Sequence, residues 1–386
     1  MADTLTPRER VRRAIRHQEP DRVPLDLGGF QTGIHRRAYE DLLAYLGIAD
    51  EVQILDPVQQ IAVPCEEVLQ RLRIDTRYLV AHGPQGFHAE IVLRERGGRL
   101  WHDLRDEWGV VWSMPDDQGL YMDITHHPLA EATIEDLARY PFPDGGDPTR
   151  FAGLREEALA LRETPYAACT GIGGVVYEIC WYLRGLERWF MDLVENPAFC
   201  AALLDRTLEY WLGFYTGFLG EVGDLIDVVM IGDDLTGQGG PLFSPRVYRE
   251  IVKPRQKRLV QHIKGLTEAK VWYHTCGACT EYLPDLIDNG VDIVNPVQIS
   301  ARDMAPEMLK ARYGRDLVFW GGGIDAQHVL PGATPEEVRE HVCRNVAAFK
   351  AGGGYVFNNV HNIQAGVPPE NVVAMYDAAY ACGEYA

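Results

Sequence analysis

The segment Lys270-Val271-Trp272-Tyr273-His274-Thr275-Cys276-Gly277 decides the reading of the fold, together with the two that follow it. These are Asp292-Ile293-Val294-Asn295-Pro296-Val297-Gln298 and Leu317-Val318-Phe319-Trp320-Gly321-Gly322-Gly323. Each is a short run rich in β-branched and aromatic residues that ends in polar residues or glycine. That composition marks strands buried on both faces. Working outward, five more runs share the pattern: Val23–Leu27, Arg77–Ala81, Tyr166–Gly171, Ile226–Ile231 and Gly354–Asn358. Helix-like stretches separate the later runs. Ser244–Ile263 carries a Ser cap and a face rich in Lys253, Arg255, Lys257 and Arg258. Thr334-Pro335-Glu336-Glu337 is a capping box, followed by Val338, Val342 and Val346 at helical spacing. Thr6-Pro7-Arg8-Glu9 is another, at the start of the chain. Strand and helix in alternation imply parallel strands with helical crossovers. Eight such units predict a (β/α)8 barrel (a TIM barrel) in one domain over 1–386. No Gly-x-Gly-x-x-Gly follows the first run, which counts against a dinucleotide-binding sheet.

One stretch departs from the alternation. Phe87–Thr125 reads as hairpins, with a turn at Gly97-Gly98 and aromatics at Trp101, Trp108 and Trp112. It predicts a β insertion over about 84–128, after the second strand.

The chain has 386 residues, 46% of them hydrophobic and 24% charged, which excludes a disordered or low-complexity chain. The net charge is −19, which argues against a general nucleic-acid binder. No apolar run reaches the length of a membrane span, and the first residues lack the apolar core of a signal peptide, so a cytoplasmic location is expected. Eight cysteines are dispersed along the chain, so a disulfide framework is not expected and most should be buried thiols.

In such a barrel the chemistry lies at the C-terminal ends of the strands. The groups that follow the runs are Gln31, Gly171–Gly174, Asp233 and Asp234, His274 and Cys276, Asn295 and Gln298, Gly321–Gly323 with Asp325, and Asn359 with His361. His274 and Cys276 stand at i and i+2 on a strand end and so share a side. An imidazole and a thiolate together suit a soft or borderline metal, zinc foremost. His361, Cys279, Asp233 and Asp234 are candidate further ligands. Asp233 and Asp234 also suit acid–base work. The glycine runs suit tight turns or an anion cradle. Gln31, Asn295, Gln298, Asp325 and Asn359 are the polar groups expected to meet a substrate.

These motifs resemble the uroporphyrinogen decarboxylase superfamily, nearly end to end. The resemblance is carried by Thr6–Arg16 with Glu19-Pro20-Asp21-Arg22-Val23-Pro24, by His274-Thr275-Cys276-Gly277, and by Gly290–Gln298 and Gly321–Asp325. It continues through Gly352–Tyr355, Asn359–Gln364 and Val367–Asn371. It implies a (β/α)8 barrel and one of two chemistries. Decarboxylases of the superfamily act without a cofactor, using two first-loop arginines, an aspartate after the second strand and a late histidine. Here the first loop, Gly28–Arg37, lacks that arginine pattern; His361 matches the late histidine, and Asp75 is the nearest counterpart of the aspartate.

The other branch moves methyl groups to or from a corrinoid protein or a thiol on zinc held by His-x-Cys and a late Cys. Here His274 and Cys276 match, and His361 stands at the late position. The set His274, Cys276 and His361 carries one thiolate fewer, which leaves zinc more Lewis acidic and suits an oxygen substrate such as a methyl ether. The chain holds no Asp-x-His-x-x-Gly corrinoid signature, so the corrinoid is expected on a separate protein. Barrels of this kind are often dimers. The resemblance thus favours a zinc-dependent methyltransferase acting on a small methylated compound. The alternatives are a metal-free carboxy-lyase, in which His361 works with Asp233 or Asp234 and the mouth is lined by arginine, and a tetrapyrrole- or corrinoid-binding protein without turnover.

Overall fold

The computed structural model describes residues 3–87, 89–174 and 176–385, without the side chains of 171–174. The anion cradle expected of Gly171–Gly174 therefore lies outside what is described. Seven parallel strands follow one another in chain order: Thr76–Leu79, Ala167–Gly174, Val228–Gly232, Lys270–His274, Ile293–Asn295, Val318–Trp320 and Tyr355–Val356. The eighth member is the first apolar run. It is not a regular strand: Leu25 alone bridges in parallel to Phe357. Pro24 has no N–H to give to a ladder. The run closes the barrel through Asp26 N–H to Phe357 O (2.9 Å), Phe357 N–H to Pro24 O (2.8 Å) and Asp75 N–H to Leu25 O (2.8 Å). The fold is a TIM barrel, as the eight runs predict.

The lumen is filled by alternate residues of these strands. Ala167, Cys169, Val228, Met230, Trp272, Ile293, Val318, Trp320 and Val356 form one buried cluster. Val11, Ala14 and Ile15 belong to it too, so the first helix, Pro7–Ala14, plugs the N-terminal end. Its capping box at Thr6 and Glu9 is present. Beneath the barrel, Asp75 accepts from Arg10 Nη1 (2.7 Å), Arg22 Nη1 (2.7 Å) and Leu25 N–H (2.8 Å). Asp75 opens its strand and so lies at the end opposite the mouth. The catalytic role that the resemblance offered it is replaced by a buried ion-pair network.

The insertion is a four-stranded antiparallel sheet: Ile91–Arg96, Arg99–Arg105, Val111–Pro115 and Asp123–His126. Leu104, Met114 and Met122 form its own small core beside Val58 and Trp112. It is tied to the first loop by Arg37 Nη2 to Gly119 O (3.1 Å) and His35 Nε2 to Leu120 O (3.0 Å).

Two expectations are corrected. The predicted helix Ser244–Ile263 is broken into a short turn Pro245–Val247, a wide turn Tyr248–Val252 and a helix Lys253–Leu266, with Pro254 in its first turn. Its basic face is ion-paired: Lys253 with Asp285 (2.8 Å), Arg255 with Asp205 (2.7 Å) and Lys257 with Asp288 (3.0 Å). Second, Cys343 and Cys382 form a disulfide between the helices Pro335–Lys350 and Pro369–Cys382. The other six cysteines are free. Among the described residues, no helix is long and apolar enough to cross a membrane.

Candidate metal centre

His274 ends its strand pointing into the mouth. Gly232 of the neighbouring strand permits this, because a Cβ there would lie 2.6 Å from His274 Cβ. The i, i+2 argument holds: Cys276 Sγ lies 3.4 Å from His274 Nε2. Two ligands of a tetrahedral zinc, bonded at 2.0–2.3 Å, stand about 3.6 Å apart, so this edge is already at metal-binding width. His361 reaches across the mouth, its ring centroid 5.1 Å from that of His274. One ligand atom from each of His274, Cys276 and His361 lies within 4.8 Å of the others.

The loop that carries Cys276 is held on every side. Thr275 N–H donates to Asn295 O (2.7 Å), and Leu235 N–H donates to Thr275 Oγ1 (3.2 Å). Cys276 N–H donates to Asp234 Oδ1 (2.7 Å), and the Thr236 hydroxyl donates to Cys276 O. Gly277 N–H donates to Gln298 Oε1 (2.8 Å). Gly277 has φ +87°, and a Cβ there would stand 2.5 Å from Gly237 O. Both the left-handed backbone and the close approach require glycine.

The tautomer of His274 is set by its neighbours. Asn295 Nδ2 donates to Trp320 O (2.9 Å), which leaves Asn295 Oδ1 to accept from His274 Nδ1 (2.7 Å). The lone pair of His274 is therefore on Nε2, facing Cys276. An outer partner that fixes a ligand in this way is a general feature of metal sites. Burial pulls His274 down to about 4, against the Asn295 hydrogen bond, so the ring is neutral at pH 7. Burial also lowers His361, to about 3, helped by His274 and opposed by Asp234. The Cys276 thiol is pushed up by burial and by the charges of Asp234 and Glu178. Two neutral imidazoles and a thiol that needs a cation to ionise form a donor set that fits a zinc ion. His361 Nδ1 accepts from Asn362 N–H (2.7 Å), which places the proton of the neutral ring on Nε2. Ligation through Nε2 requires that hydrogen bond to be given up.

The other expected site residues divide. Asp234 is at the centre, 3.9 Å from His274 Nε2 and partly exposed. Asp233 points the other way and is buried. Its Oδ1 accepts from Tyr177 N–H (2.7 Å) and Glu178 N–H (2.9 Å), and its Oδ2 from Gln256 Nε2 (2.8 Å). Burial pushes it up to about 7 against these donors. It anchors the start of the helix Glu178–Arg184 instead of facing the cluster. Asn295 and Gln298 are engaged in holding the ligand loop rather than presented to a substrate. Asp325 accepts from Gln327 N–H (2.9 Å), His328 N–H (3.0 Å) and His328 Nδ1 (2.9 Å), so it shapes its own turn. Cys279 faces Met304 Sδ at 3.9 Å instead of the cluster. Gln31 Oε1 and both amide atoms of Asn359 are buried with no hydrogen-bond partner among the described residues.

Three groups at the mouth are not singled out by the sequence. Asp26 is fully buried and accepts from Thr76 Oγ1 (2.5 Å), Tyr78 OH (3.0 Å) and Trp320 Nε1 (2.8 Å). Its signal was a carboxylate inside the apolar run Val23–Leu27. Glu178 is pushed well up by burial and by the charges of Asp234 and Asp233. Tyr182 is raised by burial and then by Glu178, Asp234, Asp233 and Asp56. Nothing in the sequence marks these last two as close to residues 233–234.

The uroporphyrinogen decarboxylase (URO-D) family model matches residues 107–382. The chain belongs to that family. It is 23% identical to a uroporphyrinogen decarboxylase of Chromohalobacter salexigens over 96% of both chains. It is 39% identical to one of Pseudoalteromonas atlantica, over 70% of this chain and 76% of that protein. Among solved structures it resembles a methyltransferase from Methanosarcina mazei, with a TM-score of 0.62, 16% identity, and coverage of 97% of this chain and 98% of that one. At that identity the likeness speaks for the fold.

Proposed function

We propose that this chain is a zinc-dependent methyltransferase that moves a methyl group between a small methylated compound and a corrinoid held by a separate protein. The observation that carries the reading is the trio His274, Cys276 and His361 at the C-terminal mouth, with the tautomer of His274 fixed toward Cys276. Bound there, zinc would supply Lewis acidity, stabilising a developing anion or ionising a bound thiol or hydroxyl. The chain's own residues do the rest. Asn295 orients His274. Asp234, Thr236 and Gln298 hold the Cys276 loop. Asp233 and Gln256 fix the helix that brings Glu178 and Tyr182 to the mouth.

A second reading, a metal-free decarboxylase, is favoured by the names of the curated relatives. A carboxylated substrate calls for cations. Instead, the group that meets the cluster is the Asp234 carboxyl, 3.9 Å from His274 Nε2. Arg37, from the first loop, bonds Gly119 O of the insertion.

Elemental analysis of the purified protein beside Cys276→Ala tests the choice. About one zinc per chain, lost in the variant, supports the methyltransferase reading. No metal in either protein sinks it and returns the weight to decarboxylation.

A further inference from the structure

The inserted sheet ends in a strand with one open side. Ile91–Arg96 pairs with Arg99–Arg105, and among the described residues no strand pairs with its other side. All of its residues are exposed. The turn that joins the two strands fixes which backbone groups are left over. Gly97 and Gly98 have φ of +59° and +78°, both positive, as a two-residue turn between right-twisted strands needs. Arg96 and Arg99, which flank that turn, form a pair that exchanges hydrogen bonds. Such pairs alternate with pairs that exchange none. Arg94 and Val92 therefore bond to Trp101 and Asp103 opposite them, whereas Ile91, Leu93 and Glu95 turn their N–H and C=O groups outward. The same three side chains share one face with Leu100, and Ile91, Leu93 and Leu100 are 46%, 56% and 47% exposed. A free edge that is also apolar is a template for another strand.

We infer that this edge is an interface between two copies of the chain, paired antiparallel about a two-fold axis at Leu93. The strand's own sequence selects both the occupant and the register. A two-fold axis sets the residue it crosses opposite itself in the second copy. An axis at Arg94 or Glu95 opposes like charges, which is destabilising. An axis at Ile91 or Val92 carries Glu95 and Arg96 past the start of the other strand. The axis at Leu93 pairs the strand along its whole length. It sets Leu93 against Leu93, Ile91 against Glu95 and Val92 against Arg94, and it brings the exposed Glu90 opposite Arg96 at both ends. Leu93–Leu93 and Ile91–Glu95 are pairs of outward-facing residues, so every free N–H and C=O meets its complement. Ile91 and Leu93 of both copies close into one apolar patch on the face they share. The two inserted sheets become one continuous sheet across the two chains. The interface is independent of the methyl-transfer reading.

Sedimentation of the full chain over a range of concentrations tests the inference. A monomer–dimer equilibrium is expected. Leu93→Lys is expected to weaken it about tenfold, because two ammonium groups meet at the axis. Glu90→Arg, set against Arg96 of the second copy, is expected to weaken it about threefold at low salt and less at high salt. Both side chains are exposed, so the fold is expected to survive each change, and circular dichroism checks it. Cross-linking reads the register. Residues of a hydrogen-bonded pair lie about 5.5 Å apart at Cα, within reach of a disulfide. Mild oxidation of Leu93→Cys is therefore expected to give a covalent dimer on a non-reducing gel. Val92→Cys and Arg94→Cys, each two residues out of register with its own copy, are expected to stay unlinked. A chain that is monomeric at every concentration overturns the inference. So does a dimer that Leu93→Lys leaves intact, or one that Val92→Cys links in place of Leu93→Cys.

Discussion

The two ends of the barrel hold their charges in opposite ways. At the N-terminal end, Arg10 is fully buried, bonded to Asp75 at 2.7 Å and to Asp21 at 2.7 Å, and Arg22 completes the cluster. Each buried carboxylate there has a guanidinium. Toward the C-terminal end, Asp26, Asp233 and Asp234 are held by hydroxyl, indole, amide and backbone donors, and among the described residues none of the three pairs with an arginine. Charges that neutralise one another hold a fold together. Carboxyl groups held only by neutral dipoles are pushed by burial toward the protonated form, as Asp26 and Asp233 are. The difference matches the division of a TIM barrel into a stability face and a chemical face.

The largest effect expected from breaking this division is at the paired end. Arg10→Met leaves Asp75 and Asp21 without their shared cation. Removing one partner of a buried pair costs about 3–5 kcal/mol. Urea unfolding is expected to show that loss, while zinc bound per folded chain stays at the wild-type level. A variant that folds normally but loses zinc would mean that the ends are coupled.

The pH dependence sharpens the same point. Burial would raise Asp21, but the hydrogen bonds from Arg10, Leu5 and Thr4 hold it below the usual carboxylate range. A depressed folded value contributes stability that is present above the unfolded value, near pH 4, and lost as the pH falls below it. The stability difference between wild type and Arg10→Met is therefore expected to shrink between pH 5 and pH 3. A constant difference would show that Asp21 is not held by Arg10.

Much of the chemical end was legible because strand ends announce themselves. The i, i+2 spacing of His274 and Cys276 is a backbone property, so the sequence carried it. His361 was legible as a ligand type at the end of the last run. What was not legible depends on direction. Asp233 and Asp234 are adjacent and look like a pair, yet adjacent residues face opposite ways, and one anchors a helix while the other meets the site. Asn295 and Gln298 were read as substrate contacts, since a sequence does not tell an amide that faces a ligand from one that orients a histidine. The Cys343–Cys382 bond joins residues 39 apart on helices whose packing no spacing rule encodes. The closure of the barrel by residues 23–27 was read as a strand, although Pro24 reduces it to single hydrogen bonds.

The smallest effects belong to the neutral donors of the chemical end, and they distinguish its parts. Asn295→Ala frees both ring nitrogens of His274 and is expected to weaken zinc binding about 10–100-fold. Gln298→Ala removes one bond to Gly277 N–H and leaves the other bonds of the ligand loop in place. Its effect is expected at the lower end, about tenfold, because Asp234, Thr236 and Asn295 still fix Cys276. Competition with a chromophoric chelator measures both. If Gln298→Ala costs as much as Asn295→Ala, the position of the Cys276 loop limits affinity. If it costs nothing, the tautomer of His274 is the controlling feature, and the loop bonds serve only the fold.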